Sequence, residues 1–425
     1  MVNDLYAYKV RPRAESMKYI EGRNDFSPER WEEFKADLAF FEPFQSFSQW
    51  QKMLTDHGYN GTPFWNTIGS FLANHFPLQN YWSRLFVLGL DQIMLLITFI
   101  VVAIVFGPRW GIVSAIFFLI ITLNDNYTVA GFIRYDWYCA TVISFCLFHK
   151  GRYLAAAPFL AYAAMTRIFP FFLLAGPGLL WVVDWIKTRK MDRKLLAMFL
   201  VFGAWCLLFF YMGTLNRRGF SAWTDFYTDI RFHTAKHYLG PKRIGLKHMF
   251  IDDLSTPRIA QGDPRGKSFE KQHGLYRFSQ FALLALFLAA VVRRNRDDAF
   301  LLSYMFIFTI LVLSRYYWAL IGMLFLLSAT DRSRWRMILI DVFLLSLSPI
   351  YYTFVARESK DAYAYFMPIT FLFFGLFIFL AGSYIIEDLP AWRETFVALR
   401  AKLQRKPKGD DVAGGDGQPV TPAQA

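Results

Sequence analysis

The chain has 425 residues, of which 55% are hydrophobic and 19% aromatic, and its formal net charge is +13. Runs such as Ile93 to Phe106 and Leu195 to Met212 are apolar on every face. Such density of apolar runs excludes an ordinary soluble globule and requires a bilayer. The positive charge sits in short segments between those runs, so it reports topology rather than a nucleic-acid surface.

In chain order, residues 1–84 are mixed and polar, with a helix-like stretch over Pro28 to Phe41. Thr55 to Asn66 (TDHGYNGTPFWN) is rich in turn formers and reads as an ordered loop. Apolar spans are then predicted over 85–107, 111–124, 136–148, 153–166, 168–183, 195–214, 276–292, 299–313, 317–330, 337–354 and 364–386. Several fall short of the ~20 residues a straight span needs. Short or broken helices are tolerated where they line a protein cavity instead of lipid. The predicted fold is all-α: a polytopic transmembrane helical bundle of about eleven spans. It divides into a first-loop segment (1–84), the bundle (85–386, with a long loop at 215–275) and a tail (387–425). From Pro407 the tail is rich in Gly, Asp, Pro and Gln and is expected to be disordered.

Basic residues fix the orientation. Lys187, Arg189, Lys190, Arg193 and Lys194 crowd one connection; Arg293, Arg294 and Arg296 mark another, and Arg332, Arg334 and Arg336 a third. The tail adds Arg393, Arg400, Lys402 and Arg405. Counting spans, all of these lie on one side, which the positive-inside rule makes cytoplasmic, C-terminus included. Residues 1–84, 125–135, 215–275 and the tip at Arg315 then lie outside. An outer N-terminal segment without a signal peptide implies one further helix upstream, giving twelve spans with both ends inside.

The candidate chemistry sits at that outer edge, where charge near lipid is costly and functional. Asp4 is either a solvated carboxylate or a general base that deprotonates an acceptor hydroxyl. Arg134 and Asp136, two apart among aromatics, suit a phosphate or sugar site, or a structural ion pair at a helix end. Arg167 lies beside Pro170, which breaks the helix; it either meets a lipid phosphate or snorkels to the headgroups. In the long loop, Phe220, Trp223, Phe226, Tyr227 and Ile230 recur at helical spacing and predict an interfacial helix. His233 and His237 continue its face. They lack a third metal ligand and suit packing or hydrogen bonding to substrate. Arg315 and Tyr316 lie in a short outer turn, as part of the same site or of an aromatic belt. Cys139, Cys146 and Cys206 fall in apolar runs and read as small hydrophobes. No P-loop, GxSxG, HExxH or dinucleotide glycine pattern is present.

The stretch from Gly131 to Trp181 resembles the core of the GT-C integral membrane glycosyltransferases, in particular the bacterial polyprenol-phosphate-mannose-dependent alpha-mannosyltransferases. His149-Lys150-Gly151-Arg152 matches the family's basic-Gly-arginine turn, and an alanine-rich helix follows it. Arg134 and Asp136 stand where the family has Gln and Asn. Arg167 stands for a Lys and Ile168 for the first Pro of a Lys-Pro-x-Pro ending, while Pro170 matches the second.

The resemblance implies transfer of mannose or a pentose from a polyprenyl-phosphate donor to a cell-envelope glycan or glycolipid. The reaction would run at the outer face of the bacterial inner membrane, without cofactor or metal. It places the catalytic base at Asp4, with Asp25 and Asp56 as rivals, and the phosphate and sugar near Arg167, His233 and Arg315. Other classes remain open: a lipid-linked saccharide flippase, a membrane glycan polymerase or ligase, or an inactive scaffolding relative. A flippase would bury charges along a midmembrane pathway.

Overall fold

The computed structural model describes residues 2–4, 9–12, 15, 27–49, 61–122, 132–216, 218–234, 243–250, 269–314, 317–331, 333–356 and 362–404. Helices dominate. In order they are α1 (Pro28–Phe41), α2 (Pro63–His75), α3 (Tyr81–Phe106), α4 (Pro108–Thr122), α5 (Asp136–His149), α6 (Tyr153–Thr166), α7 (Ala175–Thr188), α8 (Arg193–Met212), α9 (Ser221–Thr234), α10 (His273–Val291), α11 (Arg296–Ile310), α12 (Ala319–Gly322), α13 (Phe325–Thr330), α14 (Arg334–Ala356) and α15 (Ala362–Gln404). Two antiparallel ladders complete the described residues: β1 (Val2–Asp4) with β2 (Lys9–Arg11), and β3 (Arg243–Ile244) with β4 (Leu313–Ser314).

The helices begin and end where local chemistry directs. Asn80 caps α3 by accepting from the N–H groups of Trp82 and Ser83. Asp192 and Asn295 cap α8 and α11 in the same way. Gly107, with φ of +101°, turns the chain between α3 and α4. The expected loop over 55–66 is corrected at its end, because Thr62 accepts from Trp65 N–H and Pro63 opens α2 at N1. Both residues are turn formers and equally good helix starters. The expected span 168–183 divides into a 3-10 segment, Phe169–Leu174, and α7. The expected span 317–330 breaks into α12 and α13, joined by tight bonds such as Leu324 N–H to the Ile321 carbonyl at 3.0 Å. That break is buried in protein, where irregular backbone is tolerated. The last expected span continues past 386 as one helix to Gln404.

Among the described residues, five segments are long and apolar enough to cross a membrane: Tyr81–Phe106, Phe169–Thr188, Arg193–Met212, His273–Val291 and Met367–Glu394. Shorter apolar helices lie among them. On α3 one face (Val87, Asp91, Leu95, Thr98, Val102) is buried, and the other exposes Ile93, Leu96, Ile97, Ile100 and Ile104. Similar apolar faces on α8, α10, α14 and α15 exceed anything a soluble monomer presents to water. The long helices and these faces mark a membrane protein.

α5 and α11 form the centre. Nearly every residue of each is buried, so neither has a polar face. α5 packs on α3 and α6, and α11 on α7 and α10. Gly176 lets α7 meet α11 closely: a Cβ there would lie 1.9 Å from the Ala299 carbonyl oxygen.

The basic connections gather at one end of the bundle. His149 Nδ1 lies 2.7 Å from Asp297, Arg296 pairs with Asp192, and Arg294 pairs with Asp388. Arg336 grips Asp331 through two nitrogens, at 2.6 and 3.1 Å, and reaches Glu387 at 3.2 Å. Burial pushes the Asp331 carboxyl up, but bonds from Arg336, Ser333 N–H and the Tyr384 hydroxyl outweigh it and hold its pKa below 3.8. A depressed pKa stabilises the folded state above the unfolded value, and that stability is lost as pH falls through the folded value. Melting temperature in lipid nanodiscs is therefore expected to fall on acidification below about pH 4, and less steeply in Asp331→Asn. Equal acid sensitivity in both proteins would show that this contact does not couple to folding.

Candidate functional site

The other end of the bundle is built on a cap supplied from a distance. Tyr135, the N-cap of α5, offers no side-chain bond to the helix. Asp91, within α3, supplies the acceptor instead. Its oxygens take Arg134 N–H at 2.9 Å and Tyr135 N–H at 3.0 Å. A carboxylate here also meets the positive end of the α5 dipole. The turn so held carries Ile133 at φ +43°, which is uncommon for a β-branched residue and costs about 1–3 kcal/mol.

The next residue after this turn is Asp136, 2% exposed. Tyr162 on α6 donates its hydroxyl to Asp136 Oδ2 at 2.9 Å, while the buried Oδ1 has no hydrogen-bond partner. Arg167 follows the last residue of α6 in extended backbone, where the chain leaves the helix for the Pro170 segment. Its guanidinium lies over the Trp65 ring at 6.0 Å and donates to the Thr166 carbonyl at 3.1 Å. Its Nε is buried without a partner. The Arg167 charge acts on Asp136, yet no ion pair joins the two. A carboxylate oxygen and a guanidinium nitrogen, each buried without a partner, thus lie within electrostatic reach of one another, and buried groups seldom leave bonding capacity unused. As a residue Arg167 is half-buried, with its Nε covered.

α2 roofs this pair. Phe64 stacks on Phe209 at 4.5 Å and meets Tyr162 edge-on at 5.7 Å. Thr67 donates to the Met212 carbonyl at 3.1 Å, and Trp223 of α9 donates to the Phe210 carbonyl at 3.0 Å. Gly213 makes this closure fit, since a Cβ there would lie 2.7 Å from Trp223 and 3.0 Å from Phe64 N.

Two cavities flank α2. One, of about 280 Å³, is an apolar groove lined by Met165, Ile168, Phe210, Trp223, Tyr227 and others; Ile168 is the residue after Arg167, which does not itself line the groove. The other, of about 520 Å³, has a mixed polar and apolar lining that includes Trp65, Asn66, Gly69 and Ser70 of α2, with Arg30 and Arg218.

Of the residues singled out from sequence, Arg134, Asp136 and Arg167 come together here. The helix expected from the aromatic spacing is α9. The β3–β4 ladder brings the long loop to the turn before Arg315, and Tyr317 just after it packs on Phe169 at 4.7 Å and Trp137 at 5.7 Å. Asp4 lies in β1 and His233 in α9, with side chains outside the described residues, as are His237, Arg315, Tyr316, Asp25 and Asp56. Among the described residues no group of three His, Cys, Asp or Glu is placed to hold a metal.

Sequence reasoning missed Asp91, Tyr162 and Trp65. Asp91 had a signal, a lone carboxylate inside an apolar run. The aromatics had none in so aromatic a chain.

The chain matches no family model, no curated protein and no solved structure.

Proposed function

We propose that the protein is a glycosyltransferase that moves a sugar, mannose or a pentose, from a polyprenyl-phosphate donor to a glycan or glycolipid acceptor. In this reading the bundle crosses a bacterial inner membrane about eleven times in a GT-C-like arrangement. The basic end with Arg294 and Arg336 is cytoplasmic, and the Asp136–Arg167 end faces outward.

The observation that carries the reading is the unused bonding capacity of Asp136 Oδ1 and Arg167 Nε in one buried place. The apolar groove at Met165 and Ile168 suits a prenyl chain, and Arg167, between them in sequence, is the cation nearest in the chain to meet its phosphate. The acceptor hydroxyl oxygen forms a bond to the anomeric carbon. The bond from that carbon to the phosphate oxygen breaks, and its electron pair leaves on the phosphate. Arg167 compensates the charge that develops there, where fixed donors act most strongly. The hydroxyl proton passes to a carboxylate. Asp136 is the carboxylate whose described geometry suits that task, and Asp4 is the sequence-based alternative.

Asp91 would favour a transporter if its charge lined a pathway. Its oxygens are instead taken by backbone N–H groups of the α5 turn, so it serves structure.

The test is transfer in membranes from radiolabelled polyprenyl-phosphate-mannose, and then from pentose donors, comparing the parent chain with Arg167→Ala. Transfer that falls about 10²–10³-fold in the variant is expected, the range for losing a charge-stabilising donor. A folded parent chain that transfers neither sugar would overturn the reading.

A further inference from the structure

The larger cavity beside α2 has no role in holding a lipid phosphate, and its chemistry differs from that of the groove. Its floor is aromatic. Trp65 lies against Gly69, where an added Cβ would be 3.3 Å from the Trp65 ring and 3.6 Å from Phe132. The two rings meet edge-on at 5.9 Å. Gly69 is buried in the middle of α2, where alanine would make a better helix; glycine keeps the ring low and the space open.

The rim is polar but electrically paired. Arg30 binds Glu33 at 2.7 Å, and Arg218 binds Asp225 at 2.9 Å. Asn74 accepts from Arg30 at 3.3 Å, which leaves its amide N–H groups to donate. Each guanidinium is held by a carboxylate outside the cavity lining, which lowers its net field, while Asn66, Ser70, Asn74 and Asn216 place neutral polar groups on the wall. That suits neighbouring hydroxyls on an uncharged molecule better than an anion. An aromatic face next to such a rim suits the C–H face of a sugar ring, since the π-cloud is negative. A volume of about 520 Å³ lies in the range of small-ligand sites and accommodates more than one sugar ring.

We propose that this cavity is a subsite for an uncharged saccharide. If the transfer reading above holds, it seats the acceptor, because Trp65 separates it from Arg167 by a single ring. Binding itself does not depend on that reading.

The experiment is saturation-transfer NMR on the full chain in lipid nanodiscs, with mannobiose, a galacturonic acid disaccharide and inorganic phosphate as probes. Saturation of mannobiose is expected, stronger than that of either anion. Gly69→Leu, which places a side chain against Trp65, is expected to weaken it at least about tenfold. Asn74→Ala, exposed on the rim, is expected to weaken it in the same direction and serves if Gly69→Leu does not fold. No mannobiose signal, a preference for an anion, or full binding by the variants at the rim and floor overturns the proposal. Mannobiose binding without any sugar transfer removes the transferase reading and leaves this subsite standing. Transfer without mannobiose binding does the reverse.

Discussion

Asp136→Asn should reduce sugar transfer by about 10²–10⁴-fold, the usual contribution of a positioned base, with little change in melting temperature. Asparagine fills the same space and still accepts the Tyr162 hydroxyl, which now reaches Asp136 Oδ2 at 2.9 Å. What disappears is the ability of Oδ1, buried and without a hydrogen-bond partner, to take a proton. The loss should lie in kcat more than in KM, because the proton moves only in the transition state. Combining the change with Arg167→Ala should cost less than the product of the two single losses, as for groups that act on one event. Asp4→Asn is the informative companion. Normal transfer by Asp136→Asn together with loss in Asp4→Asn would return the base to the first outer segment and leave Asp136 a structural acceptor.

Asp91→Ala should be the most damaging single truncation for the fold of the Asp136 end of the bundle. It strips the acceptor from Arg134 and Tyr135 N–H at once and leaves two donors with no replacement within a buried turn. Each such orphan costs about 1–3 kcal/mol, so a destabilisation on the order of 3 kcal/mol is expected. The strained conformation of Ile133 would relax, and the first turn of α5 with Asp136 on it would lose its position. Asp91→Asn keeps one acceptor oxygen and should lose roughly half as much. The measurement is thermal unfolding in nanodiscs beside a transfer assay. A variant with unchanged melting would show that the turn holds without its distant cap.

Helix positions were legible wherever burial alone decides. The apolar runs predicted 153–166 and 136–148, and α6 and α5 occupy Tyr153–Thr166 and Asp136–His149. The helix over Ser221–Thr234 followed from aromatic spacing alone. The site was legible only in its charged members, because a charge in an apolar stretch stands out whatever surrounds it. Asp91 and the turn it holds are more than forty residues apart, and no local pattern joins them. Trp65 belonged to a segment read as loop, since Thr and Pro signal a turn and a helix start equally well. Tyr162 sits in an alanine-rich helix, and nothing there distinguishes a hydroxyl aimed at a carboxylate from a packing ring.

The length of α5 has one more consequence. Fourteen residues rise roughly 21 Å, whereas a bilayer's hydrocarbon core is about 30 Å thick. Helices such as α3, with 26 residues, are long enough for the full thickness. The central helix alone therefore cannot span the full hydrocarbon thickness, and Asp136 is buried at its first position. In a membrane, a reactant tethered to lipid would reach that carboxylate by sliding sideways through the wall, while a reactant from water would have to descend from above. In the proposed reaction, a short central helix would let a lipid-tethered donor and a water-borne acceptor approach one carboxylate by different routes.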